Sequence, residues 1–75
     1  MEIFEIYFLD KYIGFTSSLK KAYEYIKKEL EDDKYGLDFR KELHNLEEIY
    51  KDCIKNNKTN FKCWEYEVIS EIELN

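Results

Sequence analysis

The sequence predicts an α+β fold: a three-stranded, mainly antiparallel sheet with two helices packed on one face, in the order β-β-α-α-β. Three observations predict it. Residues 3–15 are rich in β-branched and aromatic side chains, two helical apolar stripes lie between residues 19 and 54, and strict alternation runs from Trp64 to Leu74. At 75 residues the chain has room for one small domain, 1–75.

The first element is a hairpin. Ile3 to Leu9 and Tyr12 to Phe15 read as strands, with Asp10-Lys11 as a two-residue loop that lacks the favoured glycine. Pairing Leu9 with Tyr12 sets Phe8 against Ile13, Tyr7 against Gly14 and Ile6 against Phe15. One face then collects Phe4, Ile6, Phe8, Ile13 and Phe15, all apolar. The other collects Ile3, Glu5, Tyr7, Leu9 and Tyr12. A register slip mixes the sets, so the pattern argues for this pairing.

Thr16-Ser17-Ser18 supplies an N-cap, assigned to Ser17. Leu19, Ala22, Tyr23, Ile26 and Leu30 then fall at i, i+3, i+4, i+7 and i+11, one apolar stripe. Glu31-Asp32-Asp33 opposes the helix dipole, so the helix ends near Leu30, with Gly36 completing the break. Asp38 caps a second helix, in which Phe39, Leu43, Leu46, Ile49, Tyr50, Cys53 and Ile54 keep helical spacing up to Asn56-Asn57.

The closing strand is the clearest element. Trp64, Tyr66, Val68, Ser70, Ile72 and Leu74 alternate with Glu65, Glu67, Ile69, Glu71 and Glu73, so one face is buried and the other acidic. Phe61 and Cys63 reverse the phase, which implies a bulge near Cys63. Pattern alone leaves open whether this strand lies beside the first or the second.

Composition narrows the function classes. Hydrophobic residues make up 44% and charged residues 39%, too apolar for a disordered acidic tail and too charged for a membrane span. Net charge is −5, the wrong sign for a free-standing nucleic-acid binder. The first residues lack the basic and apolar regions of a signal peptide, so a cytoplasmic protein with reduced thiols is expected. Heavy use of Lys, Ile, Asn, Tyr and Glu is what an AT-rich coding sequence produces, and points to a bacterial or phage source.

Catalytic chemistry finds little purchase. His44 is the single histidine, off the apolar stripe, and carries no triad or metal signature. Cys53 and Cys63 fit no standard zinc spacing, and Cys53 lies on the apolar stripe as an inert thiol. A disulfide between them is disfavoured in a reducing cytosol. Carboxylates on an open strand face are solvated, whereas acid–base catalysis needs a pocket. The lysines at 20, 21, 27 and 28 alternate with Glu24 and Glu31 as a solvated helix face. The expectation is no enzyme activity, no cofactor and no metal.

The segment Ile13-Gly14-Phe15-Thr16-Ser17-Ser18-Leu19-Lys20-Lys21-Ala22-Tyr23-Glu24-Tyr25-Ile26, followed by Tyr66-Glu67-Val68-Ile69-Ser70-Glu71-Ile72-Glu73-Leu74-Asn75, resembles a group of small bacterial and phage proteins of unknown function. These share a hairpin, a "G-x-[FT]-S-S-x-x-K-A-x-x-Y-I" helix entry and a closing "Y-x-I-x-E-x-E-L" strand. The resemblance covers about half the chain. It implies a fold and a phage or mobile-element setting, but no activity, and Asp38 to Asn60 departs from the shorter members.

The acidic sheet face is then the feature to weigh. Same-face neighbours along a strand sit about 6.7 Å apart, the same order as successive phosphates on a nucleic-acid strand. The partner-binding residues expected on it are Glu5, Tyr7, Tyr12, Glu65, Glu67, Glu71 and Glu73, with helix 2 as a second candidate surface. The expected function is a non-enzymatic acidic protein-binding module with a basic protein partner and no direct contact with nucleic acid or membrane. Its most concrete form is a phage-borne inhibitor of a host defence nuclease, anti-CRISPR-like, acting as a nucleic-acid mimic in a basic groove. The other readings are a homodimeric structural or regulatory protein that pairs its open sheet faces, and an enzyme or metal protein using His44, Cys53 and Cys63.

Overall fold

A computed structural model describes residues 2–32 and 38–72. Gly36 and Asp33, expected at the first helix's end, and Glu73 and Leu74 of the closing strand lie outside the described residues. The elements run β1 (Glu2–Phe8), β2 (Lys11–Thr16), α1 (Leu19–Glu31), α2 (Arg40–Asn56), β3 (Phe61–Cys63) and β4 (Tyr66–Ile72). The architecture is α+β with two helices and a four-stranded sheet in the order β2-β1-β4-β3, with every pair antiparallel. The expected sheet of three strands gains a fourth. Phe61 and Cys63 reverse phase because they form a separate strand, turned back on β4 through Trp64-Glu65, rather than a bulge in one long strand.

The open question of strand order resolves in favour of β1. β4 lies alongside β1, with Phe4 opposite Ser70, Ile6 opposite Val68 and Phe8 opposite Tyr66. The pairing aligns the two apolar alternations, so even-numbered residues of β1 and β4 share one face and odd-numbered residues the other. A single core cluster unites Phe4, Ile6, Tyr66 and Val68 with Phe61 and Cys63 of β3, Ala22, Ile26 and Leu30 of α1, and Leu46 and Cys53 of α2. The largest of these side chains that are fully buried are Ile26, Leu46 and Val68. Ile54, counted on the stripe of α2, is exposed instead.

The hairpin departs from its expected register. The loop is Leu9-Asp10, not Asp10-Lys11, so Phe8 pairs with Lys11 and Tyr7 with Tyr12. The register then shifts at Ile13, which faces no residue of β1. Beyond it, Ile6 pairs with Gly14, Glu5 with Phe15 and Phe4 with Thr16. One extra residue turns every later side chain of β2 over. Phe15, expected in the core, joins the odd face and is 62% exposed, and Ile13 is 43% exposed. The even face of β2 carries Gly14 and Thr16 instead, opposite Ile6 and Phe4. Gly14 has a φ of 156°, and a glycine inside a strand is the usual mark of such a bulge.

Leu9 and Asp10 both have positive φ, 51° and 65°, as in the primed turns that suit hairpin twist. A branched residue at positive φ is strained. The tip is held from outside, because the Leu9 N–H donates to the Glu65 carbonyl of the β3–β4 turn at 3.0 Å. Replacing the pair by the preferred dipeptide, Leu9→Asn with Asp10→Gly, is expected to raise the thermal midpoint by several degrees in a calorimetric scan. An unchanged or lower midpoint would mean that contacts of the Leu9 side chain outweigh the strain.

Helix ends follow local hydrogen bonding. Ser18, one residue later than expected, caps α1, its Oγ accepting from the Lys21 N–H at 3.1 Å. The Thr16 hydroxyl donates to the Ser18 carbonyl at 2.8 Å and fixes the approach. At α2 the cap position belongs to Phe39, whose carbonyl accepts from the Leu43 N–H at 2.8 Å while its ring is buried. Asp38 still serves the helix start, its Oδ1 accepting from the Arg40 N–H at 3.0 Å. Its carboxylate also grips the Arg40 guanidinium, with Nη2 to Oδ2 at 2.8 Å, and these hydrogen bonds lower its pKa to about 2. Asn57 ends α2 in the left-handed conformation, as Asn56-Asn57 led one to expect.

Candidate functional site

The odd face of the sheet is built by alternation and by the two registers. β1 presents Ile3, Glu5 and Tyr7, and β4 presents Glu67, Ile69 and Glu71, with Tyr7 opposite Glu67, Glu5 opposite Ile69 and Ile3 opposite Glu71. β2 adds Tyr12 opposite Tyr7 and Phe15 opposite Glu5. β3 adds Lys62 opposite Glu67. Of the seven residues expected to bind a partner, Glu5, Tyr7, Tyr12, Glu67 and Glu71 stand together on this face. Glu65 does not belong to it: it sits in the β3–β4 turn, exposed, because β4 begins only at Tyr66. Glu73 lies outside the described residues.

The rings and carboxylates are interleaved. Tyr7 and Tyr12 meet edge to face with centroids 5.8 Å apart, a favoured cross-strand aromatic arrangement. Glu5 and Glu71 are diagonal neighbours across β1 and β4. The Glu5 pKa is raised, first by burial among its neighbours and then by the charge of Glu71. The Tyr7 hydroxyl is also pushed up, by burial and then by the charges of Glu5 and Glu71, with smaller contributions from Tyr12 and Glu67. Among the described residues, no ion pair joins Glu5, Glu67 or Glu71 to a lysine or arginine. Other acids do find cations: Glu47 holds Lys51 at 3.1 Å and Asp52 holds Lys58 at 2.8 Å.

Sequence reasoning missed two residues of this face, Phe15 and Lys62. Phe15 was legible only through Gly14, whose presence inside a strand signals a bulge. Lys62 follows once residues 61–63 are read as a strand of their own. Exposed large apolar side chains concentrate on the hairpin that carries part of this face, with Leu9 at 56% and Tyr12 at 52% beside Ile13 and Phe15. Four neighbours on one hairpin make a patch rather than scattered single residues.

The other candidates lie apart from this face. His44 is exposed on α2. Cys53 and Cys63 are both free and buried. Cys63 donates weakly to the Glu42 carbonyl at 3.7 Å, and its pKa is pushed up to about 11, mainly by burial and further by the charge of Glu42. A thiol so far from its thiolate form is a poor nucleophile. In native protein near pH 8, Ellman's reagent is therefore expected to label neither cysteine on the timescale that labels both in denaturant; rapid native labelling would contradict this. Among the described residues no cluster of three or more His, Cys, Asp and Glu is arranged to hold a metal ion, and no helix is long and apolar enough to cross a membrane. No family model, curated protein or solved structure matches the chain.

Proposed function

We propose that the chain is a non-enzymatic, acidic protein-binding module that docks the odd face of its sheet on a basic protein partner. The reading takes both helices as roofing the even face alone, which the single core cluster supports. The observation that carries it is the grouping on one face of Glu5, Glu67 and Glu71, in no ion pair among the described residues, with Tyr7, Tyr12 and Phe15. Such carboxylates repel one another in the free protein, and a cationic surface converts that repulsion into attraction. The rings supply large rigid contact area, which charge alone does not. In its most concrete form the partner is the nucleic-acid-binding groove of a host defence nuclease, which a small acidic phage protein would occupy in place of phosphates.

Charge argues against the homodimeric reading in which two open faces stack. That arrangement sets Glu5, Glu67 and Glu71 of one copy against the same residues of another. Light scattering at several concentrations separates the two readings.

The direct test is charge reversal. With Glu5, Glu67 and Glu71 all changed to Lys, immobilised protein should no longer retain basic proteins from host lysate that the wild type retains and that a soluble polyanion elutes. The circular-dichroism melt should stay cooperative. Retention that survives the reversal in a folded variant ends the acidic-face reading.

A further inference from the structure

Resting on that reading, we infer that the partner engages as an extended basic segment that adds a fifth strand to the outer edge of β2, with its cationic side chains crossing Phe15 and Tyr12 toward the carboxylates. Three observations converge on this. β2 is an outermost strand of the sheet, and no described strand pairs with its outer edge. Natural sheets blunt such edges with charges, prolines or covering loops. From Tyr12 to Thr16 this one carries no charge and no proline, and it displays Tyr12, Ile13 and Phe15. Only the bulge at Ile13 interrupts it, leaving Gly14 to Thr16 as regular edge beside Phe4 to Ile6.

Strand addition uses backbone groups for affinity and alternate side chains for selection. A fifth strand lies about 4.8 Å beyond β2, and its odd-face side chains emerge next to Phe15 and Tyr12. Beyond those rings, one strand further in, stands Glu5, and then Glu71 and Glu67 on β4. An arginine on the added strand would lie over the Phe15 ring, a cation–π contact, with its guanidinium directed at Glu5. Lys11, the one charge on β2, sits at the hairpin tip and pushes cationic positions toward the Phe15 end. A second copy of this chain is the weaker occupant. Its own edge is neutral over the same residues, and it brings a net charge of −5 to a face already short of cations.

The probe is a capped octapeptide of alternating Arg and Val, compared with the same peptide methylated on alternate backbone nitrogens, which keeps the charge and removes one edge's donors. Calorimetry and amide exchange at low salt are expected to show binding of the first peptide with new protection at Lys11–Thr16. The methylated peptide should bind at least tenfold more weakly, and added salt should weaken both. Equal binding of the two peptides overturns strand addition while leaving the acidic face standing. Equal binding of the plain peptide by a Glu5→Gln/Glu67→Gln/Glu71→Gln variant overturns the acidic-face reading itself. Absence of peptide binding, or β2 protection that arises from self-association without the peptide, also overturns the inference.

Discussion

Leu46→Ala is expected to destabilise the domain by about 2–5 kcal/mol, whereas Phe15→Ala should cost less than about 1 kcal/mol. Leu46 is fully buried in the cluster that joins α2 to the sheet, so truncation leaves a cavity that rigid neighbours fill poorly. Phe15 is largely exposed and lies outside that cluster. Stability for native domains is roughly 0.05–0.15 kcal/mol per residue, so the first change removes a large share of the total and the second little. The contrast tests the register of β2. Under the pairing that sets Ile6 against Phe15, Phe15 is core like Leu46 and both truncations are severe. Urea denaturation of the two variants decides it, and a Phe15→Ala cost equal to that of Leu46→Ala would return Phe15 to the core.

Neutralising the carboxyl pair should move stability and binding in opposite directions. Glu5→Gln with Glu71→Gln is expected to stabilise the free protein near neutral pH and to weaken partner binding at least tenfold. Burial and the neighbouring Glu71 charge raise the Glu5 pKa, so the folded state holds that proton more tightly than the unfolded state. The stability this contributes is fully present below the ordinary carboxylate range and is lost as pH rises through the raised value. Above it, the wild type carries a repulsion that the double variant lacks. The gain should therefore shrink as pH falls into the acid range, and both proteins should respond alike below it. Melts from pH 3 to 8 give the result. A variant less stable than wild type at pH 7 would mean that these carboxylates serve the fold rather than a partner.

Much of this molecule was legible in one dimension. The alternation of Tyr66 through Glu71 and that of Ile3 through Phe8 each assign a covered and an open side, since β side chains change face at every residue. Joining the two strands preserves that division, so Tyr7 and Glu67 fall on one face whichever neighbours complete the sheet. The stripes of Leu19 to Leu30 and Phe39 to Cys53 name the helix faces for the same periodic reason, and Asn57 marks an end because few residues accept its conformation.

What periodicity could not carry was register and the identity of short strands. The loop at Leu9-Asp10 offers no preferred turn residues, so local chemistry does not choose it over Asp10-Lys11. The choice comes from β4 packing along β1 and from the Glu65 carbonyl holding Leu9. Three residues, Phe61 to Cys63, are too few to show a period, and they become a strand only because Val68 and Tyr66 lie opposite them. Side-chain pattern thus determined the inner residues of β1, β4 and the two helices, Ile54 apart. Pairing energies between segments distant in sequence decided which aromatic rings were left outside, and with them the shape of the acidic, aromatic face.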